Sequence, residues 1–450
     1  MTVANAQTSS ERTSFVAFAS TLKISSNRDL NRLAVHTTLH QLAWTITALL
    51  SAVFLLQRGL APAAIFASFA LIIGLRLFFR GLVLMSVMRI GLRRTFILGT
   101  LLFGVQSPLL AIVHGPGIGL LVFCTMSALA QAFYWTCYQT TFAAVGEVDS
   151  RGNQVGWRQV LIAVAGIVGP AAGGLMLEHL GAWAAFGTAA AIELGAIVPL
   201  LRLQETPIAR LTPKHAYPAA RRGFLLLATD GWIFNSATWI WSIVMFQALG
   251  SRYDAFGGGI AAASLAGALG GFVLGNFIDI GHGHRATRLS TCMLAITLVM
   301  RAFCGSNPLV VMAVAIGTAL FGGIYVTSLM TAVYNEAKRS PCIFRFQFVA
   351  EAGWDTGGGM ACVLAGALCA AGIPLQPIIL LALPMVALQS WLLLGSYAQR
   401  SADPALLPFR ASAWPGSVTA AVARCCGGER PEWVAVRSER RRGARAVAAR

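Results

Sequence analysis

An all-α, polytopic membrane protein with twelve transmembrane helices in two six-helix halves is the fold class this sequence predicts, and three observations predict it. Of its 450 residues 56% are hydrophobic and only 11% charged, against the ~25% charged residues of ordinary soluble domains. Apolar runs long enough for a crossing of about 20 residues recur along the chain, split by Gly, Pro or charge clusters. Lys and Arg then alternate with those runs in a way only an even number of crossings explains.

The candidate helices, segments 1 to 12 in chain order, are 35–57, 62–88, 95–114, 117–142, 158–178, 181–201, 224–249, 258–279, 288–304, 308–335, 343–371 and 374–397. Segment 1 follows a polar stretch, 1–34, that lacks the apolar core of a signal peptide and reads as a cytoplasmic N-tail. Segment 2 runs into the charged loop MRIGLRR, and short Gly or Pro turns separate segments 5 from 6 and 11 from 12. Between segments 6 and 7 lies RLQETPIARLTPKHAYPAARRG, a basic, proline-bearing linker over 202–223 that divides a six-helix half at 35–201 from a second at 224–397. The remainder, 398–450, ends in RSERRRGARAVAAR and reads as a disordered basic cytoplasmic tail. With the N-terminus inside, 28 of the 34 Lys and Arg fall on the cytoplasmic side, only Arg58 and Arg252 on the other, and Arg76, Arg80, Arg301 and Arg345 within spans. Because Lys and Arg are retained in the cytoplasm, both termini are expected inside, in the inner (plasma) membrane of the cell.

The net charge of +17 is thus a matter of topology. No zinc-finger, helix-turn-helix or RNA-binding pattern accompanies it, so nucleic acid is not an expected partner. Six of the nine cysteines lie inside apolar runs, and no disulfide framework or metal spacing is present. No HExxH, GxSxG or Walker pattern occurs, so neither an enzyme nor a cofactor is expected.

Segment 5 contains GWRQVLIAVAGIVGPAAGG, with Gly156, Ala165, Gly169, Pro170, Gly173 and Gly174 spaced as GxxxxxxxxAxxxGPxxGG. Small residues let a neighbouring helix come close, and the proline allows a bend. This resembles the helix 5 signature of the major facilitator superfamily, with Ala165 where that pattern has Gly, and is most typical of its proton-driven antiporters. The loop after segment 2 keeps Arg89, Gly91, Arg93 and Arg94 of that superfamily's GxxxDRxGxRR motif but has Leu84 and Met88 in place of its Gly and Asp. After segment 8 the sequence GNFIDIGHGHR repeats the motif in part, through Gly275, Asp279 and Arg285.

The resemblance implies alternating access around a cavity lined by segments 1, 4, 7 and 10. On segment 4, Gln131, Tyr134, Trp135, Tyr138 and Gln139 share one helical face. They are read as a binding face for a flat or amphipathic solute in preference to an interfacial aromatic belt, because the run starts well inside the span. Trp44, Trp241 and Asn335 on segments 1, 7 and 10 join them as substrate-binding candidates. Asp230, His40 and Glu193 are the proton-coupling candidates, since ionisable groups inside a span are costly. Segment 4 lacks the arginine that the superfamily's proton-driven drug exporters carry. For the inter-half contacts, Gly169, Pro170, Gly173 and Gly174 are expected against segment 8. Asp279 is expected to reach Arg158 as a gate.

Arg76 and Arg80 are four residues apart, as are Glu351 and Asp355 on segment 11, at matching depths from the same side, and the resemblance implies that segments 2 and 11 face one another across the junction of the halves. The expected pairs are Arg76 with Asp355 and Arg80 with Glu351, forming a bridge between the halves. Alternatives are an anchor for an anionic solute and snorkelling to head groups. The functional expectation is a secondary transporter of a small organic solute, exporting it in exchange for protons. Uptake of an organic anion or metabolite is the second expectation, and a transporter-derived sensor or assembly factor the third. The partners expected are the lipid bilayer, the solute and protons, with a monomer favoured.

Overall fold

The computed structural model describes residues 27–146, 151–278 and 283–402. The order of α-helices is α1 Arg28–Gln57, α2 Pro62–Ile90, α3 Leu92–Leu109, α4 Ile118–Val145, α5 Arg151–His179, α6 Ala182–Gly195, α7 Ile197–Leu201, α8 Arg221–Ala248, α9 Tyr253–Ile278, α10 Gly283–Phe303, α11 Pro308–Arg339, α12 Ile343–Ala370, α13 Leu375–Ile378 and α14 Leu383–Ala402, with short 3₁₀ turns at Pro218–Ala220 and Ile379–Ala382. All elements among the described residues are helical. Among the described residues six stretches, 28–57, 62–90, 118–145, 160–179, 182–201 and 375–395, are long and apolar enough to cross a membrane. Large apolar side chains such as Phe78, Ile118 and Trp391 point outward and are exposed, as a lipid-facing surface requires.

Where the helices differ from the expected segments, local chemistry explains it. The first begins at Arg28, seven residues before segment 1, because the Asn27 side chain accepts from the Asp29 and Leu30 amides at 3.0 and 3.3 Å and Asp29 sits in the first turn. Gly91, at φ +90°, turns the chain so sharply that α3 starts at once at Leu92. Segment 6 is split at Ala196, three residues before Pro199, whose ring and missing N–H disrupt the preceding turn. Segment 12 is split in the same way around Pro377 and Pro384 into α13, a 3₁₀ turn and α14.

Glycine sets the closest helix pairs. A Cβ at Gly353 would lie 2.2 Å from the Phe224 carbonyl oxygen, and one at Gly231 would lie 2.2 Å from that of Trp354, so α8 and α12 touch backbone to backbone. The expectation for segment 5 needs correction. A Cβ at Gly169 would run into Thr45 and one at Gly173 into Leu50 and Ile46, so both glycines pack on α1. Gly174 alone of the three faces α9, where its Cβ would stand 2.3 Å from the Tyr253 carbonyl oxygen, and the Pro170 carbonyl meets Gly257.

Candidate functional site

Four buried charges join α2 to α12. Arg76, Arg80, Glu351 and Asp355 have side chains no more than 5% exposed. Asp355 lies between the two guanidinium groups, taking an ion contact from each through Arg76 Nε and Arg80 Nη2. Arg80 Nε also donates to Asp355 Oδ2 at 2.5 Å. Glu351 Oε2 is 3.4 Å from Arg76 Nη2 and 3.8 Å from Arg80 Nη2. The expected one-to-one pairing is therefore replaced by a four-membered cluster in which Asp355 serves both arginines.

Two positive and two negative charges leave this cluster neutral, which a low-dielectric interior demands. The third nitrogen of each guanidinium reaches α4: Arg76 Nη1 donates to Gln131 Oε1 at 3.2 Å and Arg80 Nη1 to Thr136 Oγ1 at 2.9 Å. The Arg76 guanidinium lies over the Trp354 ring, 4.6 Å from its centroid.

Trp354 connects this cluster to Asp230. Its Nε1–H donates to Asp230 Oδ2 at 3.2 Å, and the Tyr325 hydroxyl lies 3.0 Å from Asp230 Oδ1 on one side and against Gln389 on the other. Sequence reasoning singled out Asp230 but not Trp354, Tyr325 or Gln389. The signal for Trp354 was its place one residue before Asp355.

The face on α4 does not behave as one unit. Gln131 turns to Arg76, while Tyr134 and Tyr138 are about 1% exposed and stack on each other, 5.7 Å apart, with Tyr134 also stacked on His40 at 3.8 Å. Gln139 receives the Tyr334 hydroxyl of α11. Trp135 is half-buried. His40 Nδ1 approaches Glu193 Oε1 to 2.7 Å, supplying the partner that Glu193 lacked in the sequence.

The other candidates are dispersed. Trp44 is half-buried against the core. Trp241 lies under the Arg301 guanidinium at 4.9 Å, and Arg301 Nη2 donates to Thr318 Oγ1 at 2.9 Å. Asn335 keeps a buried Oδ1 with no hydrogen-bond partner among the described residues. Asp279, the side chain of Arg158 and the chain beyond 402 lie outside the described residues.

At the end of the bundle that bears the linker, Glu205 was missed by sequence reasoning. Its Oε1 accepts from the Arg93 amide at 3.0 Å, and a Cβ at Gly91 would stand 2.9 Å from the same oxygen. Arg93 Nη1 donates to the Leu203 carbonyl at 2.9 Å. The linker thus sits on the loop motif in which Met88 replaces an acid. Arg345, near the start of α12, donates to the linker carbonyls of Ala209 and Arg210 at 2.9 and 3.2 Å.

The Major Facilitator Superfamily profile matches residues 33–361. Comparison with curated proteins finds no match. Among solved structures, the human organic anion transporter MFSD10 (TETRAN) is similar with a TM-score of 0.61 and 14% identity, over 81% of this chain and 99% of that one. The fucose:proton symporter FucP of E. coli is similar with a TM-score of 0.59 and 13% identity, over 82% and 98%. The nucleoside transporter NupG gives 0.57 and 12%, over 82% and 99%. At such identities these likenesses speak for the fold alone.

Proposed function

Because this chain belongs to the major facilitator superfamily and is a multi-pass membrane protein, we propose that it is a secondary transporter carrying a small organic solute by alternating access. Twelve crossings in two halves, 35–201 and 224–397, with the 202–223 linker and both termini in the cytoplasm, complete the reading. The observation that carries it is the neutral cluster of Arg76, Arg80, Glu351 and Asp355, whose four charges come from helices of different halves. Charges so placed are costly unless paired. A bridge that closes in one state and opens to water in another uses that cost to make intermediate states rare.

Proton-coupled export is the leading mode, on the segment 5 signature, with Trp135 and Gln131 as the solute-facing members of α4 and Asp230 as a protonatable carboxylate. Uptake of an organic anion is the second reading. It is favoured by Arg301, which lies on Trp241 with no carboxylate in contact among the described residues, and by the substrate class named for the human neighbour.

The test uses purified protein in proteoliposomes, screened for solute-dependent thermal stabilisation and then for solute flux with and without a proton gradient. Flux is expected, and binding without flux would favour a sensor. Because Asp355 contacts both arginines, Arg80→Asp should abolish flux and adding Asp355→Arg should restore part of it. Full flux in the single variant would end the bridge reading.

A further inference from the structure

The pair formed by His40 and Glu193 plays no part in the α2–α12 cluster, yet it is as fully enclosed, each side chain 2% exposed. At 2.7 Å, His40 Nδ1 and Glu193 Oε1 cannot present lone pairs to each other, so a proton lies between them. His36, one turn earlier on α1, has its ring nitrogens occupied: Nδ1 donates to the Ala196 carbonyl at 2.8 Å and Nε2 is 3.1 Å from the Tyr134 hydroxyl. That carbonyl belongs to the break between α6 and α7, three residues from Glu193.

The groups facing the pair are few. From α1 comes His36; from α3, Phe96 against His36 and Phe103 against His40; from α4, Tyr134, stacked on His40, and Trp135, edge-on at 5.8 Å. Among the described residues no lysine or arginine is hydrogen-bonded or ion-paired to either partner. With a neutral imidazole and an ionised Glu193, the pocket would hold one uncompensated negative charge, which burial makes costly. One further proton makes it electroneutral. His40 Nε2 is buried without a partner, and a proton added there, like one added to the second oxygen of Glu193, leaves the contact between the two intact; the two sites differ in whether the imidazole becomes charged.

We infer that His40 and Glu193 form a proton-binding site within the N-terminal half, taking one exchangeable proton at His40 Nε2 with Glu193 as its fixed counter-charge. Proton gain converts the neutral imidazole to an imidazolium ion paired with the carboxylate, and loss reverses it, with no other bond made or broken. The use of this proton rests on the transporter reading. His40 touches Tyr134 and Trp135, so a solute against Trp135 would press on a ring in contact with the site, and the break at Ala196 gives the Glu193 helix a place to bend.

The experiment is a pH series of nitrogen NMR spectra on the full chain, labelled with ¹⁵N-histidine, in lipid bilayers from about pH 5 to about pH 9, the window in which histidines change charge. One resonance pair, absent in His40→Asn, is expected to titrate within this range, and its midpoint is expected to move by about one pH unit or more in Glu193→Gln, the scale of a direct charge interaction. A His40 resonance that stays neutral throughout, or a midpoint unmoved in Glu193→Gln, would overturn the site. If His40→Asn does not fold, Glu193→Asp provides the check: it keeps the charge, so the resonance that moves in Glu193→Gln should move less. No solute is needed. A titrating His40 in a chain that moves no solute would leave the site and remove the transport reading, whereas flux with a non-titrating His40 would do the opposite.

Discussion

Two of the interfaces that cross between the first six predicted segments and the last six are built on opposite principles. Between α5 and α9, Gly174, Pro170 and Gly257 bring backbone against backbone with no side chain between them. Between α2 and α12, long side chains meet and four charges cancel one another. The seam of small residues is held by close packing of backbone on backbone. The charged contact is held by a balance that fails whenever one member leaves. On the transporter reading, the first contact suits rocking and the second suits switching.

The sharpest way to break this comparison is to unbalance the cluster. Asp355→Ala leaves two buried guanidinium groups with Glu351 alone. It is expected to cost about 3–5 kcal/mol, the usual penalty for removing one partner of a buried pair. Thermal unfolding of the purified protein should show the fall, and a melting temperature equal to wild type would mean that water already reaches the arginines.

Adjacent glycines test the seam. Gly174→Leu drives a side chain into the Tyr253 carbonyl, which cannot yield without moving α9, and overpacking of this kind costs about 1–3 kcal/mol. In Gly173→Leu a Cβ would stand 2.8 Å from Leu50 Cδ1, a flexible tip, and 3.2 Å from the Ile46 Cα. Cysteine pairs placed across α5–α9 should lose cross-linking in Gly174→Leu and retain it in Gly173→Leu. Equal loss in both would mean that the two glycines do not face different partners.

The smallest effect is expected at the linker. The side chains of Arg93 and Glu205 are 32% and 43% exposed and 3.9 Å apart as an ion pair, so Glu205→Gln should change stability by about 1 kcal/mol or less, and less still at high salt. A loss comparable with that of Asp355→Ala would show that the linker, and not the helix pair, holds the bundle closed.

Much of this was legible beforehand, for identifiable reasons. Hydropathy and the side-to-side alternation of Lys and Arg follow from the cost of putting charge in lipid, a local property of each segment. The spacing of four between Arg76 and Arg80, repeated by Glu351 and Asp355, pointed to the meeting of α2 and α12 once the resemblance had set these helices face to face. It did not give the register, because a slide of half a helical pitch, about 3 Å, is enough to move Asp355 from one arginine to a place between both. Gly173 and Gly174 are neighbours in sequence, yet one residue is 100° of helix, enough to send one to α1 and the other to α9.

What the sequence determined by itself is therefore the helical membrane class, the order of its apolar segments and the presence of charges that had to find partners inside them. Only the tertiary structure decided who those partners are. His40 and Glu193 lie 153 residues apart, no periodicity relates them, and Glu205 reached the Gly91 turn from a linker that reads as a mere connection. Hydrophobic burial depends on composition summed over a helix face and survives errors of rotation. A hydrogen bond or ion pair depends on distances of a few tenths of an ångström between atoms brought together from remote parts of the chain.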